Sequence, residues 1–434
     1  MKTPFPLSRR QIPDMLKASI RGPLVILMGS PAEIGNLLEQ LKLPDALCLQ
    51  LDLHQARAVQ AELAERGITA RVEVVKDFWD IQHGQATVLV MAQMRGEREL
   101  KIDMIDQAFH SLSTGGRILV WCPTIDDSLH PELLKRFFGK THAHICSNSL
   151  ILWAVRQDGD NRPRRRHELN FHARLGGHSS QNFISRPGVF SYGKMDDGSR
   201  ALAEIARIEP GDRVLDLGCG HGTLGVFAGL STGPKGEITF ADSNARALDL
   251  AALNATNCGV THFKTQLACE SSDLIPLGEN SFDVILANPP YFAGGSIALK
   301  FVDLAARMLK PGGRFYLVTR QPDELAEAMS PHFPSFDAIL NRGYTVLLVD
   351  EQMSLRPIPE ELHVPDENAV EEPAELPVES IEPEARIQTK HPHGTGFRRR
   401  GAGGGGGAPR GGFGKPRTSR RDNTGRDFRT SRED

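Results

Sequence analysis

The sequence predicts an α/β protein of two tandem Rossmann-like units, each a mostly parallel sheet covered by helices, followed by a disordered tail. Three observations carry that expectation. Short apolar strands alternate with helical stretches twice over, the two units close on matching segments, and beyond about Leu355 the composition is no longer that of a core. At 434 residues the chain is also too long for one ordinary core.

The first unit, expected over 1–156, opens with PLVILMGSPAEIGNLLEQL, which reads as strand, turn and helix. It continues to Leu100–Val120 (LKIDMIDQAFHSLSTGGRILV), an amphipathic helix, a Gly-Gly turn and a buried strand, and closes with HAHICSNSLILWAVR in hairpin pattern. Residues 157–170 follow, with Arg162, Arg164, Arg165 and Arg166 clustered around Pro163. This polar, Pro-broken run predicts a basic linker, with Arg164 and Arg165 as candidates for contact with a phosphate backbone.

The second unit, expected over 171–355, has strands at Arg213–Cys219, Glu237–Asp242, His262–Ala268, Phe282–Ala287 and Gly313–Thr319. It closes with FDAILNRGYTVLLVD, a hairpin in which Gly343 takes the turn position that needs positive φ. Leu299–Val318 (LKFVDLAARMLKPGGRFYLV) repeats the pattern of Leu100–Val120 with one residue fewer. The repeated ending implies a duplicated fold.

The net charge of −3 averages unlike parts. Residues 357–385 hold ten acids and no Lys or Arg, whereas 386–434 hold thirteen Lys and Arg against four acids, set among GAGGGGGAPRGGFGKPR. Residues 356–434 therefore read as disordered. The Arg/Gly part suits weak RNA binding through phosphate contact and arginine stacking, with a purely solubilising tail as the alternative. The six cysteines are scattered without metal-type spacing, so neither a disulfide framework nor a metal is expected. No apolar run approaches the ~20 residues of a membrane span and the start lacks a secretory pattern, which predicts a cytoplasmic protein without membrane partners. A monomer is expected.

The strongest chemical signal is Val214-Leu215-Asp216-Leu217-Gly218-Cys219-Gly220-His221-Gly222, at the end of a strand and the start of a helix. Alternate glycines let the backbone turn sharply and approach a ligand at the carboxyl edge of the sheet. An acid at Asp216 is a poor neighbour for a pyrophosphate and suits a ligand with a cationic or amino-acid end. Asp242, at the end of the next strand, is placed to accept hydrogen bonds from ribose hydroxyls. An adenosine carrying an amino acid fits both acids. Here the chain resembles the S-adenosylmethionine-dependent methyltransferases of the Rossmann-like class, whose seven-stranded sheet has one antiparallel strand. The resemblance makes S-adenosylmethionine the expected cofactor, with Gly218, Cys219, Gly220, Gly222 and Ser243 around it and Cys269 and Glu270 beside the adenine.

Asn288-Pro289-Pro290-Tyr291 follows the strand FDVILA and resembles the signature of methyltransferases that act on planar amino groups. A conjugated amine is a weak nucleophile. Acceptors at the Asn288 side chain and the Pro289 carbonyl aim its lone pair at a methyl donor, Tyr291 offers a stacking face, and two prolines stiffen the turn. No covalent nucleophile is required. By itself the motif leaves guanine N2, adenine N6 and a protein glutamine amide open.

Upstream, Arg186-Pro187-Gly188-Val189-Phe190-Ser191 and Met195-Asp196-Asp197-Gly198-Ser199 resemble the entry of the bacterial ribosomal RNA guanine-N2 methyltransferases, which are also tandem domains with a degenerate first member. The resemblance is strongest over Arg186–Tyr291. It implies ribosomal RNA or a ribosomal particle as partner, with Phe190 and Phe292 facing the base. The first unit fits the degenerate role, having Met28-Gly29-Ser30-Pro31 and Met91-Ala92-Gln93-Met94 at the matching places. A glutamine methyltransferase resembles a helical domain joined to the catalytic one instead of an α/β duplicate. A dead RNA-binding factor is expected to have lost the counterpart of Asp216 or Asn288.

Overall fold

The computed structural model describes residues 14–350 except 44, 81–83, 93–96, 147–148, 160–161 and 291–295, and the tail expected at 356–434 lies outside the described residues. After α1 (Asp14–Ser19), the first half runs β1 (Leu24–Leu27), α2 (Pro31–Leu41), β2 (Leu47–Gln50), α3 (Leu53–Glu65), β3 (Arg71–Val74), β4 (Gln85–Met91), α4 (Arg98–Ser111), β5 (Leu112–Cys122), α5 (Leu129–Phe138), β6 (Thr141–Cys146) and β7 (Ser149–Val155). Strands β1, β2 and β4 are apolar because both sheet faces are covered, and Leu24, Ile26, Val88 and Leu89 are at most 1% exposed.

A two-stranded hairpin, β8 (Leu169–Ala173) and β9 (Gln181–Ser185), joins the halves. It takes in the last two residues of the expected linker, 169–170, and packs Phe171 and Phe183 into the second core. The second half then runs α6 (Asp197–Ile205), β10 (Arg213–Leu217), α7 (Thr223–Thr232), β11 (Glu237–Asp242), α8 (Ala245–Asn257), β12 (Phe263–Leu267), α9 (Ser271–Leu274), β13 (Phe282–Ala287), α10 (Ser296–Met308), β14 (Leu309–Thr319), α11 (Pro322–Met329), β15 (Asp337–Asn341) and β16 (Tyr344–Val349).

The two sheets have one topology. Their orders are β3-β2-β1-β4-β5-β7-β6 and β12-β11-β10-β13-β14-β16-β15, so each is a seven-stranded Rossmann-like sheet. Among the described residues, β7 and β16 run antiparallel to both of their neighbours, and the other pairings in the two sheets are parallel. The final turn places both Arg342 and Gly343 at positive φ (52° and 71°), the conformation that matches a two-residue hairpin to strand twist. One expectation changes: the Gly-Gly pairs make no turn between helix and strand. β5 and β14 begin directly after their helices, and the register shifts where the glycines pass their neighbours. Glycine here permits a bulge.

Both sheets lie in one compact unit, and their contact includes buried charges. Arg246, fully buried, donates to Asp103 Oδ2 (2.7 Å), Asp77 Oδ1 (3.3 Å) and the carbonyls of Lys76 (2.9 Å) and Pro187 (2.6 Å). Arg186, 1% exposed, also donates to Asp77. Buried charges cost several kcal/mol each unless paired and hydrogen-bonded, and here each guanidinium has carboxylate and carbonyl partners. Among the described residues, no helix is long and apolar enough to cross a membrane.

Candidate active site

A cleft of about 360 Å³ opens at the carboxyl edge of the second sheet. Its floor is the turn after β10. Gly218 and Cys219 donate their N–H groups to the Ala241 carbonyl (2.8 and 3.1 Å), which folds the chain back over the next strand. Gly218, Gly220 and Gly222 all have positive φ (72°, 54° and 81°). They differ in surroundings: a Cβ at Gly222 would strike Ala251 at 2.8 Å, one at Gly218 would meet the Phe301 ring at 3.0 Å, and one at Gly220 would enter open space. Gly222 thus lets α7 and α8 approach, whereas Gly218 and Gly220 line the cleft.

Asp242 stands at the end of β11 with each carboxylate oxygen accepting a backbone N–H, from Gly220 (2.9 Å) and Asn244 (2.8 Å). Burial pushes its pKa up to about 6 against the lowering effect of those two amides, and the nearby Asp52 charge adds to the rise. The acid lines the cleft in company with Ser243, Cys269 and Glu270, and Phe190, 53% exposed, stands at its rim.

Asp216 takes a different place from the expected one at the ligand's amino-acid end. It is 1% exposed, does not line the cleft, and turns under α7 to accept the Gly225 N–H (2.8 Å). Strand alternation and the positive end of α7 draw the carboxylate there. Burial raises its pKa to about 7. Its effect on a ligand therefore passes through the glycine turn. Cys219 likewise is buried with its thiol toward the Gly220 carbonyl, and Gly222 caps α7, so neither lines the cleft. His221, inside the turn, is held by the Lys194 carbonyl and Thr223, and burial lowers its pKa to about 4, which keeps the ring neutral.

Asn288 follows β13 and faces the same cleft. Its Nδ2 donates to Asp196 Oδ2 and to Ser199 Oγ, both at 2.8 Å. A carboxylate only accepts, so these contacts fix which side of the amide is nitrogen and which is oxygen. Asp196 is itself held as the N-cap of α6 by the Ser199 N–H (2.9 Å). The Asp-Asp-Gly-Ser segment is thus the device that orients Asn288. Pro290 lines the cleft, and Pro289 lies against Thr319 and Glu324 in a small hollow behind it. Tyr291 and Phe292 lie outside the described residues.

Arg164 and Arg165 do not line the cleft; the Arg164 guanidinium sits 6.0 Å from the Trp79 ring of the first half. In the Arg-Pro-Gly-Val-Phe-Ser segment, Arg186 and the Gly188 N–H reach Asp77 and Glu97 of the first half, so it ties the halves together as well as placing Phe190. A Cys122, Asp127 and His130 cluster has metal-ligand chemistry, but Asp127 already accepts from the His130 amide (3.0 Å) and ring (2.7 Å).

The sequence reading missed that the first half lines the cleft. Asp52, His54 and Gln55 form part of its wall.

Fold and cleft together define a Rossmann-like methyltransferase. Residues 180–348 match the model of the methyltransferase small domain, and the chain belongs to that family. It is 31% identical over 174 residues to the Bacillus subtilis "Uncharacterized protein YbxB", a match over 38% of this chain and 83% of that protein. It is also 33% identical over 153 residues to "Ribosomal RNA small subunit methyltransferase C" of Hahella chejuensis, over 33% of this chain and 43% of that protein. The chain therefore spans less than half of that relative, which belongs to the kind of methyltransferase that the motifs resemble. Among solved structures, the Thermus thermophilus 16S rRNA N2 G1207 methyltransferase (RsmC), in complex with AdoMet and guanosine, has the same fold. Its TM-score is 0.62 at 22% identity, over 78% of this chain and 91% of that one.

Proposed function

We propose that the protein transfers a methyl group from S-adenosylmethionine to the exocyclic N2 amine of a guanine in ribosomal RNA. The oriented Asn288 amide, in the same cleft as the glycine turn and Asp242, carries the reading. The residues present fit the cofactor. Gly220 leaves open the space a Cβ would fill, Asp242 offers acceptors to a diol, and the wall beyond Ala268 and Leu274 is apolar enough to cover a base.

When bound, S-adenosylmethionine supplies a methyl group on a sulfonium, open to in-line displacement. The chain's own work is positional. Asn288 Oδ1 accepts an N–H of the target amine and draws its lone pair out of conjugation, toward the donor. Pro290 stiffens the turn that carries this acceptor. Phe190 supplies an exposed aromatic face at the rim against which a base stacks. The proton leaves to solvent after transfer, since no general base is needed for a positively charged amine.

The guanine reading also draws on relatives whose names specify ribosomal RNA and N2 of guanine. The test is methyl transfer from labelled S-adenosylmethionine to ribosomal RNA from cells lacking the gene, followed by nucleoside analysis. N2-methylguanosine made by the wild type and not by Asn288→Ala is the expected result. N6-methyladenosine would overturn the base assignment, and label confined to protein would overturn the RNA reading.

A further inference from the structure

The duplication supplies an internal comparison. Met28 N–H donates to Leu49 O as Gly218 N–H does to Ala241 O, and Val75 N–H donates to Gln50 O as Ala268 N–H does to Asp242 O. Gln50 is therefore the counterpart of Asp242, Lys76 of Cys269, and the N-cap residue Asp52 of the N-cap residue Asn244. Asp52 and Asn244 face one another in an antiparallel bridge, with Leu53 N–H on Ser243 O (2.7 Å) and Ala245 N–H on Leu51 O (2.9 Å). The halves thus meet through equivalent loops, related by a local pseudo-twofold.

The two niches beside that axis have diverged. In the first half, Gln50 is turned onto Gly29 O (2.9 Å), Ile34 packs over Gly29, and Arg246 of the second half fills the space against Asp77 and Asp103. In the second half the equivalent space is the cleft, and the residue in Arg246's place is His54, which only lines it. Beyond His54, one turn along α3, Arg57 crosses to the loop after β12. It makes a fork to Asp273 (Nη1–Oδ2 2.9 Å, Nη2–Oδ1 2.6 Å) and approaches Cys269 Sγ at 3.2 Å. Asp273 in turn accepts the N–H groups of Cys269 (2.9 Å) and Glu270 (3.1 Å). Those two residues are cleft wall. A planar guanidinium paired to both oxygens fixes the carboxylate, and the carboxylate fixes the loop backbone.

We propose that the cofactor site is shared between the halves: α3 of the first half closes its wall, and Arg57 is a positioning residue that sets the 269–273 loop for the adenosine end of the cofactor. The proposal rests on the methyltransferase reading above. It assigns to the first half, which has no open cofactor cleft of its own among the described residues, a direct part in binding at the second. The counterpart contact across the axis, Lys76 with Asp249 at 2.6 Å, also ties the halves but borders no part of the cleft and so serves as a control.

The experiment is calorimetric titration of the full chain with S-adenosylhomocysteine and with 5′-methylthioadenosine, which has adenine and ribose but no amino-acid end. Arg57→Ala is expected to weaken both ligands by the same factor, about tenfold for loss of a charge-assisted fork. Arg57→Lys, which keeps the charge without the fork, is expected to lose a smaller factor and serves if the alanine variant does not fold. Lys76→Ala is expected to bind as wild type. Undiminished affinity in both Arg57 variants would overturn the proposal. So would an equal loss in Lys76→Ala, since the effect would then be one of packing between halves. Failure of the wild type to bind either ligand would overturn the cofactor reading itself.

Discussion

Asn288 shows how one polar side chain acquires a chemical role. Free asparagine amides present either end; here a carboxylate and a hydroxyl take the amide hydrogens, which fixes which end is nitrogen and which is oxygen. Asn288→Ala is expected to leave S-adenosylhomocysteine affinity within about twofold of wild type while lowering turnover by about a hundredfold, the scale of losing one aligned proton acceptor. Loss of cofactor affinity in parallel with turnover would remove Asn288 from that role. Asp242 gives a second test at this scale, with a sign that can be worked out. Its pKa, raised by burial to about 6, means that protonation competes with the acceptance of ribose hydroxyls. Ligand affinity should be flat above pH 6 and fall about tenfold per pH unit below it. Folding stability responds in the opposite sense: the folded state holds this proton more tightly than the unfolded chain, so the cost of the buried charge is relieved as pH falls from about 6 toward 4. Binding curves from pH 7.5 to 5 check the first effect, and denaturation over the same range checks the second.

At the scale of elements, helix α6 is a short support whose N-terminus does the orienting. Asp196→Ala removes both the cap on α6 and the carboxylate on Asn288, and is expected to cost about 1 kcal/mol of stability and about tenfold in turnover. Asp196→Asn keeps a capping oxygen but only a neutral bond to Asn288, so its stability should recover more than its turnover, as paired thermal melts and single-turnover rates would show. These elements also mark what a sequence reading reaches. The closing hairpins, the duplicated order of strands and the glycine turn were legible because period, glycine and repetition are local signals. The target of the Asp216 carboxylate was not, since nothing in the strand motif says that Gly225, nine residues on, will claim it. Residues Asp52, His54 and Gln55 were illegible for a further reason: they enter the cleft from another sheet, and only the packing of one half on the other brings them there.

For the whole molecule, the question is whether the two halves unfold together. The network of Arg246, Arg186, Asp77 and Asp103 is buried between them, and removing Arg246 leaves Asp103 buried without its cationic partner. Breaking a buried pair by removing one member costs about 3–5 kcal/mol. All three tryptophans, Trp79, Trp121 and Trp153, belong to the first half, so their fluorescence reports that half alone, whereas far-ultraviolet circular dichroism reports both. In the wild type the two signals should lose structure at the same denaturant concentration. S-Adenosylhomocysteine, bound mainly by the second half, should then raise the midpoint of the tryptophan signal as well, because ligand that stabilises one member of a coupled pair stabilises both. In Arg246→Ala the transitions should separate, and the tryptophan midpoint should respond less to ligand. Separate transitions already in the wild type would show that the interface is too weak to couple the halves. The shared cofactor site would then have to be carried by Arg57 and the Asp52–Asn244 bridge without help from the buried charges.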